Sequence, residues 1–158
     1  MPLLRPLRDT DIPAVLALNE RNVEALAPMD EPRLHQLRGL AERFDVLDLD
    51  GAFAGFVITF APGTSYDSEN YAWFSERYED FSYLDRIVLR EDMRRRGLGT
   101  FVYDEVETAG KARGRLALEV NLVPRNDASL AFHAQRGYAE VGRLGDDQHL
   151  VSLMEKEL

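Results

Sequence analysis

The sequence predicts a mixed α/β domain in which helices pack on a sheet. Three observations predict it. Apolar residues recur at helical spacing near the N-terminus, and the period then shortens around an Asp-Gly turn. Beyond about residue 80, short apolar runs alternate with amphipathic segments. The resulting order is strand, two helices, a hairpin and a further strand, then helix, strand, helix and strands.

Leu3 to Leu7 reads as a first strand. Asp9 or Thr10 can cap a helix running to about Leu26, with Ile12, Val15, Leu16 and Leu18 as its apolar stripe. Asp30, with Pro32 in the first turn, starts a second helix carrying Leu34, Leu37 and Leu40. Residues 44–49 form a strand that meets the hairpin signal Asp50-Gly51, and Ala52 to Phe60 returns as its partner. Gly55 marks a bulge or a close backbone approach. A short helix fits Asn70 to Tyr78, and Phe81 to Leu89 reads as a strand with a buried end at Ile87-Val88-Leu89. A helix from about Leu98 to Ala112, a strand from Arg115 to Leu122 and a helix from Asn126 to Gln135 follow. Gly137 stands where a C-terminal cap belongs. Short strands near Tyr138 to Gly142 and His149 to Glu155 complete the pattern.

The chain of 158 residues suits one domain with one core, covering residues 1–158. No window approaches the roughly 20 apolar residues of a membrane helix, so no membrane partner is expected. Cysteine is absent, which excludes disulfides, cysteine-ligated metals and a thiol nucleophile. No metal is expected, and a cytoplasmic location fits this composition. A net charge of −9 argues against nucleic-acid binding over most of the surface. Arg94, Arg95 and Arg96 nevertheless form a local basic run, while residues 67–85 are acidic. Two ligands of opposite charge would suit that division, and so would an ordinary solvated surface.

The most informative segment is residues 88–102, where a buried strand ends, a polar turn follows and glycines open a helix. The first amides of a helix lack internal partners and carry the positive end of its dipole, so they attract anions. Gly97 and Gly99 remove side chains that would keep a phosphate from the backbone. The arginines can pair with phosphate oxygens. A P-loop is excluded because no Gly-Lys-Ser/Thr occurs, and the third glycine of the dinucleotide fingerprint is missing.

Arg94-Arg95-Arg96-Gly97-Leu98-Gly99 resembles the R/Q-x-x-G-x-G/A motif of GNAT-superfamily acetyltransferases. Residues 126–138, Asn126 to Tyr138, resemble that family's N-x-x-A/S-x-x-F/L-Y-x-x-x-G-F pattern. The resemblance is strong over roughly residues 80 to 140 and elsewhere rests on element order. It implies a mostly antiparallel, twisted sheet of about six to seven strands with about four helices. It implies acetyl-CoA as cosubstrate and a primary amine, small molecule or protein N-terminus, as acceptor. The diphosphate would lie on the amides of residues 94–99 and Thr100, and the pantetheine arm along Ile87, Val88 and Leu89. Asn126, Ser129, Phe132 and His133 would contact the cofactor from the second motif. Dimers are common in the family, which leaves a homodimer open.

Direct transfer requires a neutral amine, and a free alkylamine has a pKa of about 10.4, so a proton acceptor is needed. Glu119 is the first candidate. It lies in the apolar strand Leu116-Ala117-Leu118-Glu119-Val120-Asn121, and alternation sets Glu119 and Asn121 against Leu118 and Val120. Burial would raise its pKa toward that of a usable base. Glu119 also resembles the strand glutamate that serves as base in the ribosomal-protein alanine acetyltransferase branch. A strand-edge ion pair is the competing explanation. Asp85, on the strand before the phosphate loop, is the second candidate, again against a salt bridge with a nearby arginine. His133 stands where the family often has a tyrosine that donates a proton to the thiolate. It could donate as a neutral N–H, or simply contact the cofactor. The aromatic residues between Tyr66 and Tyr83 either frame an acceptor pocket or cover the sheet. Two alternatives to acetyl transfer stay open: a noncatalytic acyl-CoA sensor on the same fold, and transfer of a longer acyl group.

Overall fold

The computed structural model describes residues 1–158. Seven strands form one sheet: β1 (Pro2–Pro6), β2 (Arg43–Leu49), β3 (Ala52–Phe60), β4 (Ser82–Leu89), β5 (Arg115–Val123), β6 (Ala139–Gly145) and β7 (Leu150–Glu157). Their spatial order is β1-β2-β3-β4-β5-β7-β6. Five helices accompany them: α1 (Ile12–Arg21), α2 (Glu31–Leu40), α3 (Glu69–Arg77), α4 (Leu98–Gly110) and α5 (Asp127–Gln135). No helix is long and apolar enough to cross a membrane.

Alternation along the strands divides the core in two. One cluster joins Val15 and Leu18 of α1, Leu34 and Leu37 of α2, and Phe74 of α3 to Phe56, Ile58 and Phe60 of β3. The other joins Val102, Tyr103 and Val106 of α4 to Val57 of β3 and to Leu116, Leu118 and Val120 of β5. The sheet is therefore sandwiched, with α1, α2 and α3 on one face and α4 and α5 on the other.

Local chemistry sets most boundaries. Asp30 accepts the Arg33 amide at 2.9 Å and caps α2, an interaction worth about 1 kcal/mol. Ser68 and Asn126 cap α3 and α5 in the same way. At Asp50 and Gly51 both φ angles are positive, 53° and 90°, which suits the hairpin joining β2 and β3. Helix α1 stops at Arg21 rather than near Leu26. The Asn22 side-chain amide donates to the Leu18 carbonyl at 2.8 Å and so competes with the next helical turn. Gly55 marks a close approach, since a Cβ there would lie 2.2 Å from the Val88 carbonyl oxygen. Strand β6 runs three residues beyond Gly142. That glycine leaves room for the Trp73 ring of α3, which a Cβ would meet at 2.5 Å.

One strand pair differs from the rest. Every other neighbouring pair is antiparallel, but β4 and β5 run parallel and pair only at Ser82–Leu116 and Tyr83–Ala117. Beyond Tyr83 they share no ladder, and β4 takes a bulge at Asp85 where its register with β3 shifts. A parted sheet at this point opens a cleft in its middle.

Candidate active site

The cleft is a cavity of about 790 Å³. Its walls are β4 and β5, the segment between α1 and α2, the residues before α3, and one side of α5. Residues 23–28, Arg33, 66–68 and Asn70 also contribute to the lining.

Glu119 lies on the β5 wall, past the last β4–β5 pair. The Tyr83 hydroxyl donates to its Oε2 at 2.6 Å. The side chain of Asn70, at the start of α3, also reaches the carboxyl. Oε1 is otherwise unpartnered and, because no sealed side-chain polar atom lacks a partner, it faces the cavity. By accessible surface Glu119 is half-buried on the cavity wall. Burial pushes its pKa up to about 8, and the Asp85 charge adds to the rise, while the hydrogen bonds from Tyr83 and Asn70 oppose it.

Asp85 has no free oxygen. Its Oδ1 accepts the Tyr66 hydroxyl at 2.5 Å and its Oδ2 accepts Arg86 Nε at 2.7 Å. Arg86 is itself buried and reaches the Asn19 side chain at 3.1 Å and the Ala27 carbonyl at 3.2 Å. Asp85 thus anchors a buried network that ties the α1–α2 segment to β4. Of the two carboxylates, only Glu119 presents an open oxygen.

His133 is buried on α5, and neighbours hold both its ring nitrogens. Nε2 lies 2.6 Å from the Tyr103 hydroxyl, and Nδ1 lies 2.7 Å from the Ser129 carbonyl oxygen. Burial lowers its pKa. Ser129 and Asn126 line the cavity beside it, with Asn126 Oδ1 accepting the Ser129 amide as the helix cap. Phe132 packs its ring edge-on to Tyr103, 5.1 Å between centroids, and stays off the cavity wall.

The arginine-glycine loop lies at the start of α4. Gly97 is the N-terminal flanking residue, with φ 74°, and no side chain caps the helix. Arg95 also takes a left-handed conformation, φ 65°, which costs a non-glycine residue about 1 kcal/mol or more. Such turns aim successive N–H groups to one side and make anion-binding concavities. Arg94, Arg95, Arg96, Gly97 and Thr100 are exposed, while Leu98 is buried against β5 and β3 in the second core cluster. A Cβ on Gly97 would meet nothing within 4 Å, and one on Gly99 would meet only the Leu89 side chain at 3.9 Å. The helix start is therefore open. Ile87 joins it to the cavity wall, whereas Val88 turns into the opposite core cluster and Leu89 packs near Gly99.

Half of the acidic residues in the stretch 67–85 are paired with arginines. Asp67 pairs with Arg33, Asp80 with Arg113 and Asp85 with Arg86. Of its aromatic residues, Tyr66 lines the cavity, whereas Tyr71 and Phe74 are core. Trp73 lies under the Arg77 guanidinium, 4.0 Å from its ring centroid. Asn70, Arg86 and Tyr103 are site residues that the sequence did not single out, and Tyr66 and Tyr83 stand out there only as the ends of the aromatic stretch. Apart from the contact of Arg86 with its neighbour Asp85, the side-chain hydrogen-bond partners of these residues lie 19 to 67 residues away along the chain, which no local pattern encodes.

No curated relative matches the chain in sequence. Solved structures match it over nearly its full length. Ard1 from Thermoplasma volcanium superimposes with a TM-score of 0.76 at 18% identity, covering 99% of this chain and 97% of that one. The ribosomal-protein-S18-alanine N-acetyltransferase from Escherichia coli gives 0.66 at 24% identity, covering 99% and 94%. Arabidopsis thaliana Naa50, solved with the bisubstrate analogue CoA-Ac-MVNAL, gives 0.72 at 12% identity, covering 99% of both chains. At these identities the likeness shows the fold. The model of the acetyltransferase (GNAT) family matches residues 12–138, most of the chain and both glycine-bearing motifs, and the chain belongs to that family.

Proposed function

We propose that residues 1–158 act as a single N-acetyltransferase domain that moves the acetyl group of acetyl-CoA to a primary amine by direct attack. The acceptor is a small molecule or a protein N-terminus. One observation carries the reading: a carboxyl with an open oxygen and a pKa of about 8 stands in a cleft between two parted strands.

The uncapped start of α4 suits a diphosphate, with N–H groups and the positive helix end facing out and three exposed arginines beside it. From there the free edge of β4, unpaired to β5 beyond Tyr83, offers backbone groups to the amide-rich pantetheine arm. That path brings the thioester toward Glu119.

A small alkylamine arrives mostly as ammonium, with a pKa of about 10.4, whereas a protein N-terminus has a pKa of about 8 and is the easier acceptor to deprotonate. An ordinary carboxylate is some six units more acidic than the alkylammonium and removes its proton poorly. Raising Glu119 to about 8 closes more than half of the gap. Oε1 takes the ammonium proton, the freed lone pair attacks the acetyl carbon, and as the C–S bond breaks with its electrons on sulfur the second proton leaves nitrogen for solvent water, giving the neutral amide. Asp85, held by Tyr66 and Arg86, lies near Glu119, and its carboxylate adds to the rise in the Glu119 pKa. Glu119 is therefore the base in this account, and Asp85 a supporting charge.

A thiol-release assay with acetyl-CoA and a panel of primary amines and N-terminal peptides tests this function. Turnover that Glu119→Gln suppresses supports it. Acetyl-CoA binding without turnover of any amine would favour a sensor. Faster release from propionyl- or succinyl-CoA would move the reading to a longer acyl group.

A further inference from the structure

The Tyr103 hydroxyl and the His133 ring form a buried pair on the cavity wall, 2.6 Å apart and drawn from different helices. Their hydrogen positions follow from their partners. His133 Nδ1 is 2.7 Å from the Ser129 carbonyl, and a carbonyl oxygen only accepts, so Nδ1 carries the ring hydrogen. Burial disfavours a second proton on the ring. Nε2 is then a bare acceptor, and the Tyr103 O–H donates to it. His133 has no hydrogen to offer the cavity.

Tyr103 does. It lines the cavity with Leu118 and Glu119, and the Glu119 charge is among those acting on its hydroxyl, together with Arg136 and Glu107 from behind. An aromatic bracket fixes its position. Phe132 packs edge-on against it, and Tyr138 packs edge-on against His133 at 5.4 Å while donating to Glu107 at 2.8 Å.

We propose that Tyr103 is the catalytic hydrogen-bond donor to the departing sulfur, and that His133 is a positioning residue that holds the phenol for it. The proposal rests on the acetyl-transfer reading above. As the C–S bond breaks, the electron pair goes to sulfur; the first amine proton is already on Glu119, and the second leaves nitrogen for solvent water as the amide forms. Rotation about the Tyr103 C–O bond moves its hydrogen from His133 Nε2 to the thiolate, because an anion outcompetes a neutral ring nitrogen. Tyr103 keeps its own proton throughout. Burial raises the phenol far above a thiol, whose pKa is about 8.5, so the O–H stays intact and stabilises the thiolate as a donor. When CoA leaves, Nε2 takes the hydrogen bond back.

The chain has no cysteine, so bound CoA carries the only thiol in the sample. Its pKa can be read from the pH dependence of alkylation by iodoacetamide with the protein saturated by CoA. In the wild type it should lie about one unit below that in Tyr103→Phe, roughly a tenfold difference in thiolate at a given pH. His133→Gln, whose amide oxygen can still accept the phenol, should keep part of the shift, and His133→Leu should lose more of it. A second reading needs no variant: the ¹⁵N signal of His133 Nε2 should move toward that of an unbonded ring nitrogen when CoA thiolate binds. An equal thiol pKa in Tyr103→Phe and wild type, or an unmoved Nε2 signal, would overturn the proposal while leaving acetyl transfer intact. Failure of the wild type to bind CoA would overturn both.

Discussion

The Tyr83 hydroxyl donates to Glu119 Oε2 at 2.6 Å, across the one place where the sheet changes from antiparallel to parallel. Tyr83 is the last residue of β4 to pair with β5, and it is fully buried. The same residue therefore closes the ladder and aims the carboxyl, leaving Oε1 toward the cavity. Burial pushes the phenol well above its usual pKa, so it remains a donor at every working pH.

Activity should rise with pH until Glu119 is ionised. With a pKa of about 8, kcat/KM should climb roughly tenfold per unit below that value. In Glu119→Gln that inflection should vanish and kcat/KM should fall by about 100-fold or more, as expected for loss of a general base. Acetyl-CoA affinity should be little changed. A pH–rate profile of both proteins measures it.

Stability should carry the same signature with the opposite sign. The folded-state pKa of Glu119 lies above its unfolded value near 4.5. Its contribution is therefore complete below about 4.5 and is lost as pH rises toward 8, by up to about 1.4 kcal/mol per unit. Urea unfolding at pH 5.5 and 8.5 should show Glu119→Gln gaining on the wild type at the higher pH. Parallel curves would remove the linkage.

Gly55→Ala should be among the most damaging single changes. The new Cβ would stand 2.2 Å from the Val88 carbonyl, a backbone atom that cannot rotate away. Separating β3 from β4 would disturb the cleft wall as well as the core. A loss of about 3 kcal/mol or more is expected, read by urea denaturation or as loss of soluble protein.

Glu107 links α4 to the turn between α5 and β6 and to β7. Arg136 and Tyr138 both donate to Oε2 at 2.8 Å, and Lys156 donates to Oε1 at 2.8 Å. Burial alone would raise its carboxyl, but these three partners hold it below the ordinary range. Glu107→Gln should cost about 1–3 kcal/mol in chemical denaturation, because Lys156 loses its counter-charge and Arg136 keeps only Asp104.

Much of this architecture is legible in the sequence. Asp50-Gly51, Asp30 with Pro32, Asn126 and Gly137 act through neighbours within a few residues, so turns and helix starts can be read locally. Glu119 also stands out, as a lone carboxylate in an apolar strand. The parting of β4 from β5 cannot be read that way, because strand order and pairing length are tertiary properties. The Asp85–Arg86 pair lies within one dipeptide, yet its meaning depends on Tyr66 and Asn19, brought from two other elements. Tyr103 looks like an ordinary apolar-stripe residue of α4 until His133 arrives beside it.

The central claim is that the open start of α4 holds the diphosphate of acetyl-CoA, and calorimetric titration of Gly97→Val tests it most directly. A side chain at Gly97 meets no protein atom within 4 Å, so it would project into the space assigned to the ligand. Gly63→Val, at a similar φ of 83° with equally open surroundings, controls for backbone strain. Acetyl-CoA should bind the wild type and Gly63→Val alike, and bind Gly97→Val at least about tenfold more weakly, a loss of about 1.4 kcal/mol or more. Equal binding to all three proteins, or no binding to the wild type at millimolar acetyl-CoA, would contradict the account.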